Sequence, residues 1–194
     1  VKQVLDREEI MAIFRRTGVL WEGHFVLTSG LHSGRYLQCA RVQQFPEENA
    51  LLCRDLAARF KDQSITAVVG PAIGAIIMSY EMARNLGARA LFTERENGVM
   101  TLRRSFTLEP GERVLVVEDV ITTGGSVREV IKVVKEHGAV PVGVGVLVDR
   151  SGGRADIGVP VQSLITFDIE TYKPADCPLC RQGLPVVKPG SRQQ

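Results

Sequence analysis

Apolar residues along this chain alternate between short β-branched runs and a 3.6-residue spacing, which predicts strands and helices in turn. Near the start, Asp6-Arg7-Glu8-Glu9 has capping-box spacing, Ile10, Ile13 and Phe14 recur on one helical face, and Gly18 ends the expected helix. Short strands are expected over residues 25–27 and from Arg35, with a turn at Ser29-Gly30 between them. Pro46 with Glu47 and Glu48 opens a helix whose buried face carries Cys53, Leu56, Ala57 and Phe60. Residues 65–69 read as the next strand and Gly70-Pro71-Ala72-Ile73-Gly74 as its turn. Ile73, Ile76, Ile77 and Tyr80 then mark a helix, and further strands are expected over 88–92, 142–148 and 161–165. Residues 93–107 show no strong period and mix charges around a glycine, which fits a mobile lid or a short β-ribbon.

One stretch organises the rest. Val114-Leu115-Val116-Val117 suits a strand buried on both faces, Glu118-Asp119 follow, and Val120-Ile121-Thr122-Thr123-Gly124-Gly125-Ser126 leads into a helix marked by Val127, Val130, Ile131 and Val134. In an open α/β sheet, ligands bind at the carboxyl ends of strands. Backbone N–H groups at Gly124 and Gly125, opening a helix, make a phosphate cradle, and Thr122, Thr123 and Ser126 add hydroxyls. The two carboxylates would repel a phosphate, so they need sugar hydroxyls or a Mg²⁺ held jointly with the ligand. The combination points to a phosphorylated sugar. The Gly70–Gly74 corner repeats the strand–glycine–helix arrangement and suits a second phosphate group.

Composition narrows the class. Hydrophobic residues make up 44% and charged residues 24% of 194 residues, as in ordinary globular proteins, and a net charge of +2 gives no reason to expect a nucleic acid or an anionic membrane as partner. No apolar run has the length of a membrane span and the start of the chain lacks a basic-then-apolar pattern, so a cytoplasmic location is expected. Four cysteines do not make a disulfide framework. Cys177-Pro178-Leu179-Cys180 is a C-x-x-C, but structural zinc takes four protein ligands and Cys39 and Cys53 show no matching pair spacing, so no metal ligand is assigned. His24 and His32 have neither a nucleophile nor metal-ligand spacing beside them and are expected at the surface or in a turn. Gly143-Val144-Gly145 lacks the third glycine and the following helix of a dinucleotide fingerprint. Arg150 closes its strand on the same edge as Glu118 and Asp119, where a guanidinium can grip a carboxylate or imide with two parallel hydrogen bonds.

The block Val116 to Ser126 resembles the phosphoribosyl-pyrophosphate (PRPP) signature of type I phosphoribosyltransferases. Leu27-Thr28-Ser29-Gly30-Leu31-His32-Ser33, the 93–104 loop, Val148-Asp149-Arg150, Cys177-Pro178-Leu179-Cys180 and Pro189-Gly190-Ser191-Arg192 extend the likeness over nearly the whole chain, toward the orotate phosphoribosyltransferases. The resemblance implies an α/β fold with a mostly parallel sheet flanked by helices. It implies one phosphoribosyltransferase domain over 1–194, with a core at about 46–166, a hood from about 1–45 and 167–194, and a lid at about 93–107.

The implied reaction joins orotate and PRPP to give orotidine 5′-monophosphate and pyrophosphate in de novo pyrimidine biosynthesis, with Mg²⁺. By the same resemblance Glu118 and Asp119 bind ribose hydroxyls, directly or through metal and water. Val120, Ile121, Thr122, Thr123, Gly124, Gly125 and Ser126 hold the 5′-phosphate end of PRPP, Thr122 also nears orotate, Arg150 binds the orotate ring, and the Gly70–Gly74 corner approaches pyrophosphate. Arg95 and Arg103 are the lid residues implied to meet PRPP, Arg103 in catalysis, and the lid is implied to be shared across a homodimer. Two departures stand out: many orotate enzymes carry Lys where Thr28 stands, and many carry an Arg-Lys pair, a further Lys and a His in the lid, where this chain has Glu94-Arg95 and Arg103-Arg104. The PRPP signature does not identify the base, so a purine or other base phosphoribosyltransferase is the alternative. A PRPP-sensing nucleic-acid-binding regulator is a second, opposed by the near-neutral charge and the lack of an added basic module.

Overall fold

The computed structural model describes residues 4–27 and 29–189; Thr28 and the Gly190-Ser191-Arg192 part of the tail motif lie outside the described residues. A six-stranded sheet has the order β5-β4-β3-β6-β7-β8, built from β3 (Ala67–Pro71), β4 (Arg89–Glu96), β5 (Val99–Leu102), β6 (Arg113–Ile121), β7 (Val140–Asp149) and β8 (Val161–Thr166). All neighbours are parallel except β4 and β5. The central strand β6 shows why: Val114, Leu115, Val116 and Val117 are all fully buried, so both faces of the sheet must be covered. Leu115 and Val117 join a core with α1 (Arg7–Arg16), α2 (Pro46–Ala58) and α3 (Ile76–Leu86), while Val114 and Val116 join a second core with α4 (Gly125–Glu136).

Local chemistry sets several elements where the sequence places them. Asp6 and Glu9 form the capping box of α1, and Pro46 occupies the first turn of α2. Gly143 and Gly145 serve packing. A Cβ at Gly145 would stand 3.2 Å from the Phe60 ring and one at Gly143 3.3 Å from it, so the glycines let α2 settle on β7. Cys53 is buried in the core, as its helical position suggests.

Three expectations need correction or a choice. The helix at α3 forms, but it buries Met78, Ser79, Met82 and Ala83, leaving Ile73, Ile77 and Tyr80 86%, 51% and 65% exposed. Periodicity found the stripe; which stripe meets the sheet is set by the direction in which the chain leaves β3. Residues 93–102 are the β-ribbon alternative, β4 and β5 meeting at an Asn97-Gly98 turn whose positive φ values (52° and 83°) suit the twist of a hairpin. His24 and His32 are neither surface nor turn residues: both are buried, in β1 (Leu20–Val26) and β2 (His32–Leu37), an antiparallel pair separate from the main sheet. The tail returns to this pair. Tyr172 bridges to His32 on one edge and Val187 to Phe25 on the other.

Candidate active site

Glu118 and Asp119 lie within β6, which runs four residues past the apolar block, to Ile121, because Glu118, Val120 and Ile121 keep pairing with β7. Both carboxylates are half-buried, and the Asp119 N–H donates to Glu118 Oε1 at 3.2 Å. Burial, then the neighbouring Asp119 charge, holds the Glu118 carboxyl above the usual carboxylate range. Burial likewise raises Asp119, against a hydrogen bond from the Val120 N–H that lowers it. Neither carboxylate takes part in an ion pair among the described residues. Such a pair is poised to accept sugar hydroxyls or a hard cation.

After Ile121 the chain turns through Thr122 and Thr123 to Gly124, whose φ of +77° is the left-handed conformation that starts α4. A Cβ there would fall 2.2 Å from Ile157 Cδ1, so position 124 demands glycine twice over. Among the described residues no side chain caps α4, and the first intrahelical bond in its N-terminal turn is Arg128 N–H to Gly124 O. The N–H groups of Gly125, Ser126 and Val127 therefore face outward, without helix partners. They border a depression of about 150 Å³ lined by Glu118 and residues 120–127.

Thr122 and Thr123 also line a larger cavity of about 790 Å³, with Leu27, Tyr36, Arg150 and Asp168 around it. The two spaces thus share a wall. Arg150 follows β7; its N–H donates to Ile121 O at 2.8 Å, and its side-chain Nε is buried without a hydrogen-bond partner among the described residues. Burial lowers the Arg150 pKa. Asp149 organises this loop: Oδ1 accepts from the Ser151 N–H and hydroxyl, both at 2.7 Å, and Oδ2 accepts from the Gly153 N–H at 3.0 Å.

The second glycine corner faces the first. A Cβ on Gly74 would stand 3.8 Å from Asp119 Oδ2, and Gln43 donates to Gly74 O at 2.6 Å, tying the corner to the segment before α2. The Ala72–Ile73 peptide in this corner is cis.

The structure therefore brings together Glu118, Asp119, residues 120–126 and Arg150. Arg95 and Arg103 stand apart from that group. Arg95 pairs with Glu129 of α4 and donates to Gly98 O at 2.8 Å, and Arg103 lies 3.3 Å from Glu96. Neither lines the two spaces described above. Sequence reasoning missed Tyr36, Arg128 and Arg154 in the cavity wall, and Asp149 as the organiser of the Arg150 loop. The short hydroxyl-glycine run after Asp149 was the available signal for the last.

Residues 46–173 match the family described as the phosphoribosyl transferase domain. The chain is 64% identical over 189 residues to an orotate phosphoribosyltransferase of Desulforamulus reducens, covering 97% of this chain and 99% of that one. It is 62% identical over 189 residues to the enzyme of the same name from Pelotomaculum thermopropionicum, covering 97% and 100%. The crystal structure of orotate phosphoribosyltransferase from Aeropyrum pernix superposes with a TM-score of 0.69 at 27% identity, over 81% of this chain and 93% of that one.

Proposed function

This chain belongs to the phosphoribosyl transferase domain family, on its orotate phosphoribosyltransferase branch, and from that premise we propose how it carries the 5-phosphoribosyl group from PRPP to orotate, releasing pyrophosphate and forming orotidine 5′-monophosphate for pyrimidine biosynthesis. The observation that carries the assignment of roles is the shared wall at Thr122 and Thr123. It joins a phosphate-sized depression at a helix N-terminus to a cavity holding a buried guanidinium nitrogen with no partner among the described residues.

The N–H groups of Gly125, Ser126 and Val127 hold the 5′-phosphate, and Glu118 and Asp119 accept the ribose hydroxyls. As the bond from the anomeric carbon to pyrophosphate lengthens, positive charge grows on the ribose ring, and the adjacent carboxylates stabilise it more than they stabilise the ground state. Arg150 donates to the anionic orotate ring and sets its nitrogen toward that carbon. The Gly70–Gly74 corner, opposite Asp119, receives the pyrophosphate. Mg²⁺ fits the donor set here, since two half-buried carboxylates are hard oxygen ligands that no ion pair neutralises among the described residues. Bound with PRPP, it would supply charge neutralisation on the leaving pyrophosphate.

A homodimer in which the β4–β5 hairpin serves the neighbouring subunit is part of this reading. Its support is that Arg95 and Arg103 turn away from their own cavity, while Ile73, Ile77 and Tyr80 expose an apolar stripe beside the pyrophosphate corner. No helix among the described residues is long and apolar enough to cross a membrane, and the four cysteines are free thiols, in keeping with a cytoplasmic location.

The test is the loss of orotate absorbance with protein, PRPP and Mg²⁺, beside parallel assays with adenine, hypoxanthine, xanthine and uracil. Turnover of orotate alone is expected. Turnover of a purine would overturn the Arg150 assignment, and PRPP binding without turnover of any base would point to a regulator.

A further inference from the structure

Four side chains from opposite ends of the chain meet on the β1–β2 pair, away from the residues that line the PRPP depression. The rings of His24 and His32 stand edge to face with centroids 4.8 Å apart, and His24 Nε2 lies 2.8 Å from His32 Nδ1. Cys177 Sγ is 3.6 Å and Cys180 Sγ 3.7 Å from His24 Nε2, and Cys180 Sγ is 3.3 Å from His32 Nδ1. One ligand atom from each residue can be chosen so that all four lie within 4.8 Å of one another. Tetrahedral zinc, with Zn–N of ~2.0–2.1 Å and Zn–S of ~2.3 Å, spaces its ligand atoms ~3.4–3.8 Å apart. The sulfur–nitrogen separations already lie close to that range, and the two ring nitrogens need to part by only about half an ångström.

The ring behind one ligand is already oriented. His24 Nδ1 sits 2.8 Å from Leu184 O, and a carbonyl can only accept, so Nδ1 carries the proton and Nε2 turns its lone pair to the cluster. His24, His32 and Cys177 are buried, and Cys180 is exposed, which leaves a path for an ion to enter.

Apart from backbone pairing at its two ends, the tail around the cluster buries little apolar surface. From Tyr172 to Pro189 the tail crosses the β1–β2 pair through two single-turn helices, Pro174–Asp176 and Pro178–Arg181, and Cys177 is its one buried residue. Leu184, Val186 and Val187 on the same path are 44–51% exposed. Lobes that cannot bury enough apolar surface are commonly stapled by a structural metal.

We propose that His24, His32, Cys177 and Cys180 form a structural site for a divalent, thiolate-binding cation, zinc being the ion that two sulfurs and two imidazoles select. On binding, both thiols release their protons to solvent and the two thiolates balance the dication. The site clamps the tail across the pair. Leu27 and Ser29, just before His32, and Asp168, Ile169 and Thr171, just before Tyr172, line the large cavity, so the clamp also fixes the roof over the base pocket.

The test uses the full chain without a histidine tag, purified under reducing conditions from zinc-supplemented medium. Metal analysis should find one zinc per chain. After chelation and titration with Co²⁺, the reduced protein should show the intense visible bands of tetrahedral cobalt and a near-ultraviolet thiolate charge-transfer band. Cys180→Ser and His32→Ala should each lose the zinc and weaken the cobalt bands at least tenfold. The proposal fails if the wild-type chain carries no stoichiometric zinc and develops no cobalt bands, or if a thiol count shows Cys177 and Cys180 joined as a disulfide in the isolated protein. It also fails if a Cys177→Ser, Cys180→Ser double variant keeps its zinc. The wild-type spectrum decides the matter even where a variant does not fold, and none of these readings depends on which base is transferred.

Discussion

Replacing Arg150 by methionine should make the free protein more stable and a far worse enzyme. The guanidinium is half-buried, its Nε has no partner among the described residues, and burial pulls its pKa down from the usual arginine value. A buried donor left unsatisfied costs ~1–3 kcal/mol. Methionine keeps most of the apolar stem and removes the unmet donor, so Arg150→Met should gain roughly that amount in the free state. With a urea slope of ~2 kcal/mol per molar, a gain of ~2 kcal/mol raises the unfolding midpoint by ~1 M. Fluorescence of Trp21, the single tryptophan, reports the transition.

In the complex the sign reverses. Two charge-assisted hydrogen bonds to orotate, each worth ~1.5–3 kcal/mol, disappear, which multiplies the apparent KM for orotate by ~100 or more and leaves that for PRPP nearly unchanged. The assay is orotate absorbance at varied orotate and then at varied PRPP, run beside the urea titration on the same preparation. A variant that is less stable in the free state and keeps its orotate KM would refute the reasoning, because Arg150 would then be a structural residue whose Nε is satisfied in solution.

Gly124→Ala should abolish PRPP binding and cost ~1–3 kcal/mol, since the residue is held at φ +77° and its new methyl meets Ile157. Adding Ile157→Ala should relieve the clash and leave the backbone strain, so only part of the stability returns in a denaturant titration. For Glu118 and Asp119 the folded values lie above those of the unfolded chain, so the unfolded chain ionises first as pH rises. Their contribution therefore favours the fold at acidic pH and is lost as pH rises through the folded values. Glu118→Gln should flatten that loss in urea titrations from mildly acidic to alkaline pH, and an unchanged slope would count against the raised carboxyl. Arg103→Ala breaks an exposed pair with Glu96 and should move stability by less than ~1 kcal/mol while lowering turnover; unchanged turnover and PRPP affinity would remove it from the chemistry. Stripping the metal from the four-residue cluster should speed hydrogen exchange at the amides of Val26 and Val187, whose bonds tie the tail to β1, and leave β6 amides protected.

What the sequence determined by itself is what short range can encode. The four apolar residues before Glu118 specify a strand covered on both faces, and the glycines after Thr123 specify a helix that begins with bare N–H groups, because each depends on neighbours within a few positions. Asp6 with Glu9 and Pro46 before two glutamates are local in the same sense, and the structure places those helix starts as expected. The tertiary structure decided which faces meet and which distant residues become neighbours. The stripe of Ile73, in the corner before α3, with Ile77 and Tyr80 on the helix has the right period and the wrong side, since periodicity shows which residues share a face but not what covers it. That Arg150 Nε has no partner among the described residues is known only once Asp149 has been seen to bind its own loop instead. Most of all, His32 and Cys180 lie 148 residues apart, and neither pair carries four-ligand spacing alone. They become a metal-ligand set only because β1 and β2 bring the histidines together and the returning tail pairs with both strand edges to deliver the cysteines.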